Sequence, residues 1–411
     1  MGSEWQQFCL ADAGSIVTGK TPRGGIPEFE GSDVPFVTPP DFNGSMWIER
    51  ANRSISELGA QSVKGSIIPR CSVLVTCIGS DMGKAALTAS RCVTNQQINA
   101  VLVDETKFCP EFIYYNLSLR KDEIRGLAGG SAQPILNKSA FSQIRFWAPP
   151  LSEQRTIATA LRPINDRIAL LRETNATLEA IAQALFKSWF VDFEPVHARA
   201  RGEQPAGLAP EVAALFPDSF EESALGMIPR GWKLMQFGEF IDRQSVGKKY
   251  DQKSALEEGS VPILDQGKSG VIGFHNDKPS VCASLVSPVV VFANHTCYMR
   301  LITFDFSAIQ NVLPFIGKGV DTVWAFYATK DRVKFSEYKG HWPEFVIQKT
   351  IVPNQELTEI FRNMVDPLIC SMRNNELQAQ TLANLRDTLL PRLISGQLRL
   401  PEAEAMVEGA S

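Results

Sequence analysis

Histidine is scarce in this chain: only His197, His275, His295 and His341 occur in 411 residues, and none stands at a metal-ligand spacing from a cysteine. The eight cysteines include no C-x-x-C pair, so a zinc ribbon or a thioredoxin-type centre is excluded, and reduced, mostly buried thiols are expected. No apolar run approaches the roughly 18 residues of a membrane-spanning helix. The opening MGSEWQQFCL also lacks the basic and apolar regions of a signal peptide, so a cytoplasmic protein without membrane contact is expected. Nuclease-like spacing of carboxylates is missing too. Thr38-Pro39-Pro40-Asp41-Phe42 lacks the leading Asn or Asp of an amino-methylating N-P-P-[YF] motif, and no glycine-rich cofactor loop follows a strand. Neither a catalytic residue nor a metal site is assigned.

What is present begins with GSIVTGKT, Gly14 to Thr21, which matches the phosphate-binding pattern G-x-x-x-x-G-K-[ST]. A P-loop ATPase is therefore the rival reading. Such a loop needs a buried strand before it and a helix starting at its lysine, so that the helix N-terminus faces phosphate. Pro22, Arg23, Gly24, Gly25, Ile26 and Pro27 follow Thr21 and would interrupt that helix. The lysine and glycines suit some other anion better.

The length implies two to four domains, and 44% hydrophobic with 21% charged residues marks folded globular modules. The net charge of −4 is unevenly spread. Residues 1–149 hold 14 Lys+Arg against 14 Asp+Glu, and residues 230–352 hold 15 against 12. The acidity lies elsewhere, which leaves both large segments permissive for nucleic acid.

An internal repeat organises the chain. Near the ends of two long segments, at a constant offset of 204 residues, Leu178, Ile181, Leu185, Phe186 and Phe190 fall on Leu382, Leu385, Leu389, Leu390 and Ile394. In the first segment Ile157, Leu161, Ile164, Ile168, Leu171, Asn175, Leu178, Ala182, Leu185 and Trp189 alternate steps of four and three, a coiled-coil seam roughly 50 Å long. Asn175 is either a buried register-fixing residue or a solvated break in that stripe. The second segment is read as Ile360, Met364, Leu368 and Met372, then Asn375, Ala379, Leu382, Leu385, Leu389 and Leu393. Two such helices are expected to pack antiparallel, and Pro163 and Pro367 are expected to kink or restart them at equal depth.

Short β-rich runs precede each helix: SVLVTCI and IRFW in the first half, VCASLVSPVVVFA and FVIQKTIV in the second. Both halves open with a tryptophan shortly before a phenylalanine, Trp5 with Phe8 and Trp232 with Phe237. Both later carry a proline before an apolar pair, Pro35-Phe36-Val37 and Pro262-Ile263-Leu264. The expected fold class is α/β (mixed α+β): two diverged copies of a globular domain, separated by two long antiparallel coiled-coil helices in a pseudo-twofold repeat. Its segments are 1–149, 150–195 (first helix), 196–230 (linker), 231–352, 353–398 (second helix) and 399–411 (a flexible tail).

LFKSWFVDFEP (Leu185 to Pro195), TLANLRDTLLPRLISGQL (Thr381 to Leu398) and GLAPEVAALFPDSFEESALGMIPRGW (Gly207 to Trp232) occur in an order that resembles the specificity subunits of type I restriction-modification systems. IGSDMGKAAL with TNQQINAV, and QNVLPFIGKGVD with KGHWPEF, are similar to stretches inside that family's target recognition domains. The resemblance implies a non-catalytic DNA-binding subunit whose two recognition domains, 1–149 and 231–352, each read half of a bipartite double-stranded site. It implies spacer helices that set the gap and dock two modification (methyltransferase) subunits, with restriction subunits joining later. S-adenosylmethionine, ATP and Mg would be held by those partners, and no cofactor by this chain.

Base and phosphate contacts are expected from Lys, Arg, Gln, Thr and His on loops. In the first domain these are Lys20, Thr21, Arg23, Thr38, Lys84, Gln133 and Lys138. In the second they are Lys248, Lys249, Gln266, Lys268, Lys318, Lys339 and His341. Asn95-Gln96-Gln97 and Asn294-His295 adjoin apolar segments and are either further readers or buried hydrogen-bonders. A coiled-coil scaffold that never touches DNA is the remaining alternative; it would leave two large domains without a task.

Overall fold

The computed structural model describes residues 5–79, 81–128, 135–224, 226–267, 270–337 and 339–398. The chain forms two compact units, Met1–Arg172 with Leu377–Ser411, and Glu173–Glu376. Each unit thus combines one globular segment with part of both long helices.

The first unit opens with Gln6–Cys9 paired antiparallel to Arg145–Ala148, the strand that leads into the first long helix. Its main sheet runs in the order Gly14–Thr18, Ile98–Val103, Val73–Thr76, Ala85–Thr88, Trp47–Ile48. A smaller sheet joins Ser54–Ile55, Glu30–Val37, Cys92–Thr94 and Ile67–Ile68. Val73, Val75, Leu87 and Val101 face the same core as helix Pro110–Ser118, which contributes Phe112, Ile113 and Tyr115.

The second unit repeats this plan. Lys233–Gln236 pairs with Lys349–Val352, and the main sheet runs Ile241–Arg243, Val312–Gly317, Val289–Ala293, Met299–Ile302. Val271–His275, Val261–Leu264 and Ser307–Ala308 form the smaller sheet. The matched prolines of the sequence mark the same strand in each unit, and in both that strand makes a parallel pairing within the smaller sheet: Phe36 and Val37 opposite Val93 and Thr94, Ile263 and Leu264 opposite Ser307 and Ala308. The tryptophans stand just before equivalent strands but make different contacts, Trp5 edge-on against Phe112 and Trp232 against the ring of Phe193.

The long helices are Leu151–Phe190 and Gln355–Ile394, each of 40 residues. Their first and last residues obey the 204-residue offset that the sequence shows near the ends. Gln154 fixes the entry to the first: its side-chain oxygen accepts the Cys109 amide at 3.0 Å and its amide donates to the Pro149 carbonyl at 2.8 Å. Asn354 caps the second by accepting the Leu357 amide at 3.0 Å, and Gly396, with φ +70, closes its far end. Of the expected kink or restart, the restart does not occur: both helices run on unbroken through Pro163 and Pro367. Buried neighbours on the packed face, Leu161 with Ile164 and Val365 with Ile369, carry each helix across the missing donor.

Within the first unit Ile157 and Leu161 share a core with Leu389, Leu390 and Leu393. Within the second, Phe186 and Phe190 share one with Leu357, Phe361 and Val365. Early residues of one helix thus meet late residues of the other, the antiparallel arrangement. The seam of the first helix is observed as read, with Ile164, Ile168 and Leu171 buried and Leu178 and Leu185 half-buried. Asn175 is no solvated break: it donates to the Met372 carbonyl at 2.9 Å and accepts from Asn375 at 2.8 Å.

The second helix needs a correction. Met364 is 47% exposed, and the fully buried stripe is Leu357, Phe361, Val365 and Ile369, three residues before each residue of the expected one. Ile360, Leu368 and Met372 are only half-buried beside it. Both stripes step by four, so periodicity alone cannot rank them. The rings of Phe186, Phe190 and Tyr327 rank them by enclosing Phe361. Leu368, Leu382 and Leu385 remain half-buried, while Leu389 and Leu393 are fully buried.

The 196–230 segment is structured, with helices Glu194–Ala200 and Pro210–Ala213 and a hairpin of Phe220–Ser223 with Gly226–Pro229. Val196 and Phe216 enter the second unit's core. The tail at 399–411 lies outside the described residues.

Candidate nucleic-acid interface

Strand pairing gathers the candidate loops of the first unit at one end of its sheets. Thr18 lies opposite Asn99, Thr76 opposite Ile98, Val75 opposite Ala85 and Val37 opposite Thr94. The segments 19–23, 38–41, 77–79 with 81–84, and 95–97 therefore all emerge together. Backbone bonds tie them: Gly19 donates to the Ile98 carbonyl at 3.0 Å, Asn95 to that of Val37 at 3.2 Å, and Cys77 to that of Gln97 at 2.7 Å.

Lys20, Thr21 and Arg23 are exposed along this edge, and the Thr21 hydroxyl donates to the Gln96 side chain at 3.0 Å. Lys84 joins them, half-buried, paired with Asp81 at 2.7 Å. Lys138 is exposed at the start of helix Lys138–Ser142, two residues after Leu136, whose amide donates to the Cys77 carbonyl at 2.9 Å. Thr38 is committed locally: its amide and hydroxyl both donate to Asp41, at 2.7 and 2.9 Å. Gln133 lies outside the described residues.

The same geometry disposes of the ATPase reading. Gly14–Thr18 is a β-strand bonded along its length to Ile98–Val103, so it forms no phosphate cradle, and the residues after Lys20 are not helical. Gly14 is glycine for packing, since a Cβ there would stand 2.0 Å from the Leu102 carbonyl oxygen.

Gly19 is tighter still in its consequence for the edge. An added Cβ would lie 2.1 Å from both the Asn95 carbonyl oxygen and the Thr94 hydroxyl. Gly19→Ala is expected to push the Lys20 segment off its neighbour and to cost about 1–3 kcal/mol, the range for overpacking. Thermal melting should fall and DNA affinity with it; an unchanged melting temperature would show that the edge yields freely.

In the second unit the equivalent edge is built from 265–267, 294–298 and 309–311, because Leu264 pairs with Ala308 and Ala293 with Val312. Gln266 is its hub: its side-chain oxygen accepts the His295 amide at 3.0 Å and its carbonyl accepts the Thr296 hydroxyl at 2.5 Å. Asn294 belongs to the scaffold, its carbonyl accepting from His341 at 2.9 Å and its side chain from Trp342 at 2.8 Å. Asn95 is scaffold likewise, accepting the Gln97 amide at 3.1 Å and donating to the Gln97 side chain at 2.8 Å.

His341 is withdrawn from the readers. It is fully buried, with one ring nitrogen 3.1 Å from Glu344 and the other 3.1 Å from the Glu337 carbonyl, so it holds its own loop. Lys318 is withdrawn for position: it follows Gly317, at the opposite end of its strand from Asn311, and its amide donates to the Phe240 carbonyl. Lys339 is half-buried between Glu337 and Glu344, at 2.8 and 2.6 Å, and these bonds raise its ammonium pKa above the ordinary value. Lys248 is raised in the same way by Asp277 at 2.8 Å. Lys249 is exposed, and Lys268 lies outside the described residues.

Sequence reasoning missed several residues at these edges. Lys64 sits there because Ser66 donates to the Thr18 carbonyl at 3.1 Å, and the exposed Arg53 lies over the Phe36 ring at 5.3 Å. Arg50 and Asn52 come with them, since Asn52 donates twice to Asp41 at 2.8 Å. In the second unit Thr296, Gln310 and Arg300 were overlooked; Arg300 donates to the Asp265 carbonyl at 3.3 Å. A charged run such as Glu49-Arg50-Ala51-Asn52-Arg53 was a visible signal. The position of Lys64 depends on a contact 48 residues distant and had none.

One arrangement invites a catalytic reading and fails it. His275 Nε2 is 2.8 Å from the Ser307 hydroxyl, but Nδ1 accepts the Asp277 amide at 3.0 Å, so the proton resides on Nε2. His275 donates to a fully buried serine and cannot act as its base. Burial likewise pushes the thiols of Cys77 and Cys92 up, to about 11 and about 12, away from a reactive thiolate. Among the described residues no group of His, Cys, Asp and Glu could hold a metal ion, and no helix is long and apolar enough to cross a membrane.

Comparison with known proteins adds the following. Residues 2–180 match the family model described as the type I restriction modification DNA specificity domain. The MjaIX specificity subunit of Methanocaldococcus jannaschii, a type I restriction enzyme subunit, is 24% identical over 435 aligned positions that cover 97% of this chain and 94% of that protein. The HindI specificity subunit of Haemophilus influenzae is 37% identical over 150 residues, covering 35% of this chain and 32% of that one. In fold, the chain resembles the crystal structure of a type I restriction-modification S subunit from M. genitalium, with a TM-score of 0.52 and 15% identity over 95% and 96% of the two chains.

Proposed function

We propose that this chain is a specificity subunit of a type I restriction-modification system, a reading supported by its match over residues 2–180 to that DNA specificity domain and by its full-length similarity to the MjaIX subunit, and that each unit reads one half of a bipartite DNA site with the loop edge described above. The observation that carries this reading is the convergence, at one end of the first unit's sheets, of Lys20, Thr21, Arg23, Lys64 and Lys138 from distant parts of the chain. Cations on such loops neutralise phosphates and set register, while Thr21, Gln96, Gln266 and Thr296 offer donors and acceptors for base edges in the major groove.

The long helices set the gap between the half-sites and offer docking faces to two modification subunits. Those subunits carry S-adenosylmethionine, and restriction subunits with ATP and Mg complete the complex. This chain recognises and holds; the chemistry is done on its partners.

Sequencing the methylated adenines of cells carrying the system should yield one split motif with a fixed gap. A gel shift of the purified complex should prefer that motif by at least ~10³-fold over mixed sequence at physiological salt. Equal binding to all duplexes would sink the reading.

A further inference from the structure

The segment totals, 14 cations against 14 acids before the first helix and 15 against 12 in the second globular segment, make the second domain look the more attractive to phosphate. The placement of the charges reverses that order. At the first unit's edge Lys20, Arg23, Lys64 and Lys138 are all exposed, and none has an ion-pair partner among the described residues. Asp41 at this edge is 8% exposed and turned inward onto Thr38 and Asn52, and Asp81 is taken up by Lys84. In the second unit Lys248 is held by Asp277 and Lys339 by two glutamates. Arg300 is half-buried over the Tyr298 ring, and among the described residues of this edge Lys249 and Lys334, the latter beside Gln266 and Thr296, are the lysines exposed without an ion pair.

A lysine already matched by a carboxylate has little counterion-driven affinity to give. It must abandon its acid to meet a phosphate, whereas an unpaired one releases nothing but DNA counterions. We infer that the two recognition domains divide the work unequally: the first supplies most of the phosphate attraction, and the second contributes recognition through neutral groups such as Gln266, Thr296 and Gln310. This rests on the DNA-reading function proposed above. It makes the first domain the anchor that finds duplex and the second the more salt-tolerant discriminator.

The test compares two double variants of the full chain in its complex, K20Q/K64Q and K248Q/D277N, by the salt dependence of binding to a mixed-sequence duplex. All four side chains are exposed, and thermal melting confirms that both variants are folded. Each lost phosphate contact lowers the slope of log K against log salt by about 0.9. K20Q/K64Q should therefore flatten it by about 1.8, so that a fourfold rise in salt costs the variant roughly tenfold less affinity than the parent. K248Q/D277N, which also removes a lysine, should leave the slope as it was. Equal flattening by both variants, or none by K20Q/K64Q while the parent binds with a steep slope, overturns the division of labour and leaves the DNA-reading function standing. A parent complex with no salt-dependent binding at all overturns both.

Discussion

Phe361→Ala is expected to cost about 3–5 kcal/mol of stability in the second unit, the range for emptying a buried phenylalanine site. Phe361 is fully buried, and its ring centroid lies 5.6 Å from Phe186, 5.5 Å from Phe190, 6.2 Å from Trp189 and 5.7 Å from Tyr327. These partner rings come from the first long helix and from helix Thr322–Thr329, and all four contacts are edge-on, so the loss includes oriented aromatic pairs as well as buried area. The neighbouring structure is too dense with rings to collapse into the void. Met364→Ala, one turn further along the same helix, should change stability by less than about 0.5 kcal/mol, since that side chain is half in solvent. Denaturant melting followed by tryptophan fluorescence would compare the two, with Trp189 beside the site as reporter. Similar costs for both substitutions would mean that the stripe Leu357, Phe361, Val365, Ile369 is not the packed one.

That contrast shows where sequence was informative and where it was silent. Ten seam positions in Leu151–Phe190 alternate four and three steps without a rival stripe, so the helix, its face and the buried role open to Asn175 were all legible. Along Gln355–Ile394 two apolar stripes step in parallel, and only the aromatic cluster supplied by Phe186 and Tyr327 selects between them. The repeat was readable from prolines and tryptophans because they recur at matching places in both units: Pro35 and Pro262 lie within equivalent strands, and Trp5 and Trp232 stand just before equivalent ones. At the candidate edges, residue type predicted exposure well for Lys20, Arg23 and Lys138. It could not reveal that Lys248 meets Asp277 29 residues later, that His341 is sealed between Glu337 and Glu344, or that Lys318 lies at the far end of its strand. Ion pairing and strand direction are properties of non-local pairings, and the periodicity of one segment does not carry them.

Adding seven residues to each long helix, after Arg172 in the first and before Leu377 in the second, is expected to give a complex that methylates a motif with a longer gap and unchanged half-sites. The insertion points coincide with the division between the two units, so the contacts inside each unit survive. A heptad also preserves the phase of the seam, which keeps Leu171 and Leu178 on its packed face. At ~1.5 Å per residue the added length is roughly 10 Å, about three base-pair steps at ~3.4 Å each. Insertion into only one helix leaves seven residues without a partner across the seam and should abolish specific methylation. Adenine-methylation sequencing reads both outcomes: an unchanged gap in the doubly extended chain would show that the helices do not measure the DNA, whereas loss of one half-site with the other retained would show that the reading edges act independently of the spacing between them.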